Sequence, residues 1–163
     1  MLKSQLFRLK AKALNHARIK SPWMMHFDAT SCNGCGIEII ACLTPKYDIE
    51  RFGIVEKGNP RHSDILLVTG AVSHKTKDRL KLIYDQMPEP KVVIVIGVCG
   101  ISKGIYQGCY NIIGPIDKVI PVDIYVPGCP PRPQAIIDGV VKGLDLWKDK
   151  LKEEDKRREE EMI

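Results

Sequence analysis

The sequence predicts an α/β protein built on an open parallel sheet with helices on both faces. Three observations carry that expectation. Short, largely apolar runs (Trp23 to Phe27, Ile65 to Val68, Val92 to Ile96 and Val119 to Val126) alternate with longer amphipathic stretches. Strands buried on both faces read as continuous apolar runs of this kind. The runs end in Gly- or Pro-rich loops, and four of the six cysteines, Cys32, Cys35, Cys99 and Cys129, lie in three of those loops.

Each element follows from its residues. Leu2 to Ile19 is helix-compatible, because Leu2, Leu6, Leu9, Ala13 and Ala17 are spaced to form one apolar stripe. Trp23 to Phe27, after Pro22, reads as a buried strand. Ile37 to Leu43 starts a helix that Pro45 bends or ends, and Ile65 to Val68 is a second strand closed by Thr69-Gly70. A helix over Lys75 to Gln86 is halted by Pro88 and Pro90. Val92 to Ile96 and Val119 to Val126 are the third and fourth strands, and Pro133 opens a last helix at a first-turn position where proline is welcome. Strands alternating with helices require right-handed crossovers, which gives a parallel sheet of the flavodoxin-like kind. The expected organisation is a basic amphipathic helix over 1–20, a flavodoxin-like domain over 21–150 and a charged tail over 151–163.

Composition limits what the chain can be. Its 163 residues, 44% hydrophobic and 28% charged, suit one globular body with a real core. The net charge of +5 is unevenly placed: residues 1–20 hold Lys3, Arg8, Lys10, Lys12, Arg18 and Lys20 with no acid. Such a leader suits anionic lipid, nucleic acid or an acidic partner, and charge alone does not choose among them. No apolar run approaches the roughly 20 residues that span a bilayer, and no signal-peptide pattern opens the chain. A cytoplasmic setting without structural disulfides is therefore expected.

The cysteine loops are Ser31-Cys32-Asn33-Gly34-Cys35-Gly36, Gly97-Val98-Cys99-Gly100 and Pro127-Gly128-Cys129-Pro130-Pro131. In an open α/β sheet, sites collect outside the carboxyl ends of the strands, so these thiols should converge on one crevice. A Cys-x-x-Cys pair between a strand and a helix is also a dithiol redox arrangement, but that leaves Cys99 and Cys129 unexplained. Structural zinc uses four thiolates, more often from two paired knuckles than from one pair and two singletons. An iron-sulfur cubane accepts scattered thiolates from a rigid scaffold, with amides of Gly-rich turns near its sulfides. Plain packing is the remaining reading.

Other residues carry weaker signals. Cys42, two turns after Cys35, is expected to point into the core as a small hydrophobe, and Cys109 to be a buried spare thiol. Glu38, one turn after Cys35, either complements the helix dipole or exchanges protons beside a metal. Arg61 and Arg132 border apolar loops and either reach the cysteine site or form ion pairs. His16, His26, His62 and His74 follow no ligand spacing.

Three separated stretches bring a resemblance. Ser31 to Glu38, Pro60-Arg61-His62-Ser63-Asp64-Ile65-Leu66-Leu67-Val68-Thr69-Gly70 and Val126-Pro127-Gly128-Cys129-Pro130-Pro131-Arg132-Pro133 resemble, in order, the 20 kDa iron-sulfur subunit family. That family includes the small subunits of membrane-bound, energy-converting nickel-iron hydrogenases and their homologue in respiratory complex I. The resemblance spans about Ser21 to Trp147. It implies that Cys32, Cys35, Cys99 and Cys129 ligate one 4Fe-4S cluster, which relays electrons between a ferredoxin-like subunit and a catalytic large subunit that holds the nickel. It also implies integral membrane subunits as partners, a peripheral position on the cytoplasmic face of the membrane, and no nucleic acid. Complex I members carry adjacent cysteines at the first motif, so Cys32-Asn33-Gly34-Cys35 leans toward the hydrogenase side. A quinone- or sulfur-reducing complex of the complex I type is the alternative, and a zinc-stabilised scaffold the second.

Overall fold

A computed structural model describes residues 15–160. The part of the predicted first helix over 1–14 lies outside the described residues; residues 15–20 are helical. Seven strands follow: β1 (Trp23–Thr30), β2 (Val55–Glu56), β3 (Ile65–Gly70), β4 (Val72–Ser73), β5 (Val92–Ile96), β6 (Ile112–Gly114) and β7 (Ile124–Val126). The helices are α1 (Gly34–Leu43), α2 (His74–Gln86), α3 (Val98–Ser102) and α4 (Pro133–Glu160).

Five strands form the main sheet in the order β2-β1-β3-β5-β7, with every pairing parallel. Counted within that sheet in chain order this is 2-1-3-4-5, the flavodoxin-like arrangement. Its order reverses between β1 and β3, and that switch point opens a crevice at the carboxyl ends of the strands. The small β4 and β6 pair antiparallel at the same end.

Side-chain alternation divides the core into two layers. Ile65, Leu67, Val92, Ile94 and Ile96 face one cluster with Ile39 and Cys42 of α1 and Ile136, Val140 and Trp147 of α4. Leu66, Val68, Val93 and Val95 face another with Leu80, Ile116 and Ile120. Helices thus cover both faces, as the sequence predicts.

The differences from expectation have physical causes. β1 extends to Thr30, because Asp28 and Thr30 pair with Thr69 and Gly70 although neither is apolar. α1 begins at Gly34, since the Ile37 amide already donates to the Asn33 carbonyl at 3.0 Å. The fourth strand shrinks to Ile124–Val126: Pro121 lacks an amide, and Val119 and Ile120 close a turn on Ile116. The two residues of β2 and the five of α3 are too short to show periodicity. α4 continues through the charged run to Glu160, with Leu151 still buried.

Candidate metal centre

The three cysteine loops meet at the switch-point end of the sheet. Cys32 leaves β1, Cys35 occupies the first turn of α1, Cys99 lies in α3 just beyond β5, and Cys129 follows β7. The loops are tied together: the Gly97 amide donates to the Val126 carbonyl and the Val98 amide to the Gly128 carbonyl, each at 2.9 Å. Gly97 adopts φ +92°, a region that favours glycine, and a Cβ there would stand 2.5 Å from the Cys35 sulfur. The backbone after β5 thus passes directly over the Cys35 thiol, which a side chain at Gly97 would push aside. A Cβ at Gly34 would stand 3.5 Å from the Cys32 sulfur and 3.9 Å from the Pro130 ring, joining the first and third loops.

Electrostatics report the same convergence. Burial pushes the Cys35 thiol up to about 11, and charge on Cys99, Cys32, Cys129 and Asp28 pushes the same way. Cys99 is also raised, chiefly by burial and further by Cys129 and Cys32, while a hydrogen bond from the Ile105 backbone opposes the shift. Cys35 and Cys99 are buried; Cys32 and Cys129 are exposed at the mouth. The raised Cys35 and Cys99 thiols hold their protons more tightly than a free thiol, and a positive centre would have to displace them.

The donor set consists of sulfur alone. Among the described residues, no three His, Cys, Asp or Glu side chains are drawn together tightly enough to hold a single ion. Mononuclear zinc requires its sulfurs about 2.3 Å from one centre. A cubane instead takes thiolates from scattered loops of a rigid scaffold.

Two neighbours of the site give no signal in the sequence. Asp28, at the end of β1, accepts from the Ser31 hydroxyl at 2.8 Å and is the carboxylate that acts on Cys35. Tyr106 has its hydroxyl raised first by burial, then by Cys32, Cys99, Asp28 and Cys109. Only β1 pairing and the return of the loop after α3 bring them there. Glu38 is half-buried, and its charge acts on Cys42, the thiol that points into the core as expected.

Two expectations are corrected. Cys109 is exposed, because the Gly-rich stretch that holds it turns at the surface instead of folding under the sheet. Arg61 precedes β3, so it sits at the opposite end of the sheet from the cysteines and forms no ion pair among the described residues. Arg132 is exposed three residues after Cys129. His26 bonds to the Thr69 hydroxyl at 3.1 Å, with its ring beneath Gly36.

Comparisons with known proteins agree with this architecture. The probable membrane-bound hydrogenase subunit mbhJ of Pyrococcus furiosus is 52% identical over 135 residues, spanning 83% of this chain and 81% of that protein. An NADH-quinone oxidoreductase subunit of an Anaeromyxobacter species is 45% identical across 83% of this chain and 77% of its own length. Formate hydrogenlyase subunit 7 of Escherichia coli is 43% identical over 88% of this chain and 56% of its own. A chain of the membrane-bound sulfane sulfur reductase, an archaeal respiratory membrane complex, superposes with a TM-score of 0.72 at 43% identity, covering 84% of this chain and 76% of that one. Residues 32–143, from the first of the four cysteines through the last and into α4, match the NADH ubiquinone oxidoreductase 20 Kd subunit family, and the chain belongs to it.

Proposed function

We propose that this chain is the electron-transfer small subunit of a membrane-bound hydrogenase, holding one 4Fe-4S cluster on Cys32, Cys35, Cys99 and Cys129. The observation that carries this reading is the convergence of four thiols from three loops in a chain 52% identical to a membrane-bound hydrogenase subunit. When bound, the cluster supplies a one-electron relay between a ferredoxin-like subunit and a nickel-iron large subunit.

The residues have distinct tasks in this scheme. Cys35 and Cys99 hold the buried side and Cys32 and Cys129 the mouth, while Gly97 keeps the floor flat enough for the sulfurs to be reached. The Ile105 amide donates to Cys99, an interaction that strengthens with negative charge on sulfur. Ile37, Ile40 and Ile105, each more than half exposed, rim the cysteine loops. An apolar rim of this kind suits a partner subunit that would also shield the cluster from water. No helix among the described residues is long and apolar enough to cross a membrane, so attachment on the cytoplasmic face would run through integral partner subunits. Glu38 is the group that would exchange protons near the cluster; Glu38→Gln should cut hydrogen turnover by orders of magnitude while the cluster's EPR signal survives.

Single serine substitutions test the ligand set. In Cys32→Ser, Cys35→Ser, Cys99→Ser and Cys129→Ser the cluster should be lost or degraded, whereas Cys42→Ala and Cys109→Ala should keep it, by anaerobic iron and sulfide analysis with EPR. Full iron content in Cys129→Ser would refute the assignment, and zinc without iron in the wild type would favour a scaffold.

The likeness to the sulfane sulfur reductase supports a second reading, the same relay in a sulfur- or quinone-reducing complex. Hydrogen evolution by the assembled complex from reduced ferredoxin decides between the two. A complex that reduces polysulfide or quinone and leaves hydrogen untouched belongs to the second.

A further inference from the structure

The end of the sheet away from the cysteines holds a cavity of about 230 Å³, lined by Arg18, Ser21, Trp23, Arg61, His62 and Asp64. It lies where β1 and β3 begin. Its one carboxylate is spent: Asp64, 3% exposed, accepts from the Arg18 guanidinium on Oδ1 and from the Trp23 amide on Oδ2 at 3.0 Å. The donors around it are largely uncommitted. Arg61 bonds only through its backbone, whose amide donates to Asn59 Oδ1 at 3.1 Å, and its guanidinium has no partner among the described residues. The Ser21 hydroxyl likewise has none, although its amide closes the preceding helix on Ala17 and Arg18. His62 is held against the Trp23 ring, centroid to centroid 5.4 Å. Two guanidiniums against one carboxylate leave a positive cavity facing hydroxyl and imidazole groups, with an aromatic wall on one side.

We propose that this cavity binds a phosphate group. A planar guanidinium fork with a hydroxyl beside it matches an anion that only accepts hydrogen bonds, and Arg suits phosphate oxygens through paired N–H donors. The volume exceeds that of a bare phosphate and leaves room for a short substituent along Trp23. A lipid headgroup and free phosphate present the same chemistry. The proposal is independent of the cluster, whose ligands lie at the other end of the strands.

The test uses the full-length chain with two probes, inorganic phosphate by calorimetry and dioleoylphosphatidylglycerol vesicles by co-sedimentation, on the wild type and Arg61→Gln. Because the Arg61 side chain is exposed and unpaired, the variant should melt at the wild-type temperature. Expected is wild-type binding that Arg61→Gln weakens at least tenfold, the loss typical of a charge-assisted hydrogen bond. Binding of vesicles alone identifies a headgroup, and binding of phosphate as well identifies the free anion. The basic leader is unchanged in the variant, so vesicle binding counts only where Arg61→Gln weakens it, and binding of both probes that Arg61→Gln leaves undiminished would overturn the proposal. Binding of neither probe would overturn it too. His62→Gln, which preserves the guanidinium charges, should weaken binding severalfold and replaces Arg61→Gln if that variant does not fold.

Discussion

Cys35 and Cys42 stand two turns apart on α1, and burial pushes both thiols up to about 11, yet their surroundings assign them different work. Cys35 feels three other thiols across the crevice. Cys42, 1% exposed, donates to the Glu38 carbonyl at 3.2 Å and touches the Pro133 carbonyl at 3.5 Å, fastening α1 to the start of α4. A thiol that holds its proton to about 11 when folded but releases it near 9.0 when unfolded makes the native state the greater proton binder in that window. Its contribution to stability is therefore intact below pH 9 and is lost as pH rises toward 11. Denaturant midpoints of the metal-free chain should fall over this range, and Cys42→Ala should flatten the fall. Cys35 and Cys99, raised in the same direction, leave a residual slope. An unchanged slope in Cys42→Ala would show that its thiol is not held in the core.

Among the elements, α2 shows how a buried charge can serve structure alone. Its N-terminus is closed by a capping box between Ser73 and Thr76, and its C-terminus by Lys91. That lysine, 7% exposed, donates to the Tyr84 carbonyl at 2.8 Å and the Met87 carbonyl at 3.4 Å and lies 3.9 Å from the Tyr84 ring centroid. The exposed Glu89, 3.1 Å away, adds little because water screens it. Lys91→Met keeps the stem and removes the donors, leaving helix-end carbonyls without their cation. The expected cost is about 1–3 kcal/mol, read as a lower denaturant midpoint at unchanged slope. Lys91 is invisible in the sequence, where it is one lysine among many. β3 and β5 were legible because burial on both faces leaves an unbroken apolar run, whereas β2 and α3 are too short to leave a pattern. At the candidate site the four cysteines stood out by chemical type and loop position. Asp28 and Tyr106 did not, since only strand register and a loop's return bring them near. Cys109 misled because a Gly-rich stretch specifies turns without saying which side of them faces water.

At the scale of the molecule, the helical segment before β1 is joined to the last helix. α4 runs 28 residues, about 42 Å at 1.5 Å per residue, and its charged end meets the segment before β1. The Asn15 amide donates to Asp155 at 2.6 Å, and Arg18 lies 5.5 Å from the Trp147 ring centroid while pairing with buried Asp64. Residues 15–20 are thus part of the body, although in sequence they continue a basic leader that reads as a docking segment. This divides the effects of truncation. Deleting residues 1–14 should weaken attachment to the membrane arm, because it removes four of the six leader cations. Deleting 1–20 also removes Arg18 and leaves Asp64 buried without its cation, which should destabilise the chain by roughly 3–5 kcal/mol. Thermal unfolding of the two truncations, beside their recovery with membrane subunits, separates the two roles. Equal melting temperatures for both would mean that the Arg18–Asp64 pair contributes nothing. Undiminished membrane recovery of the shorter truncation would leave the leader a solvated basic segment with no docking role.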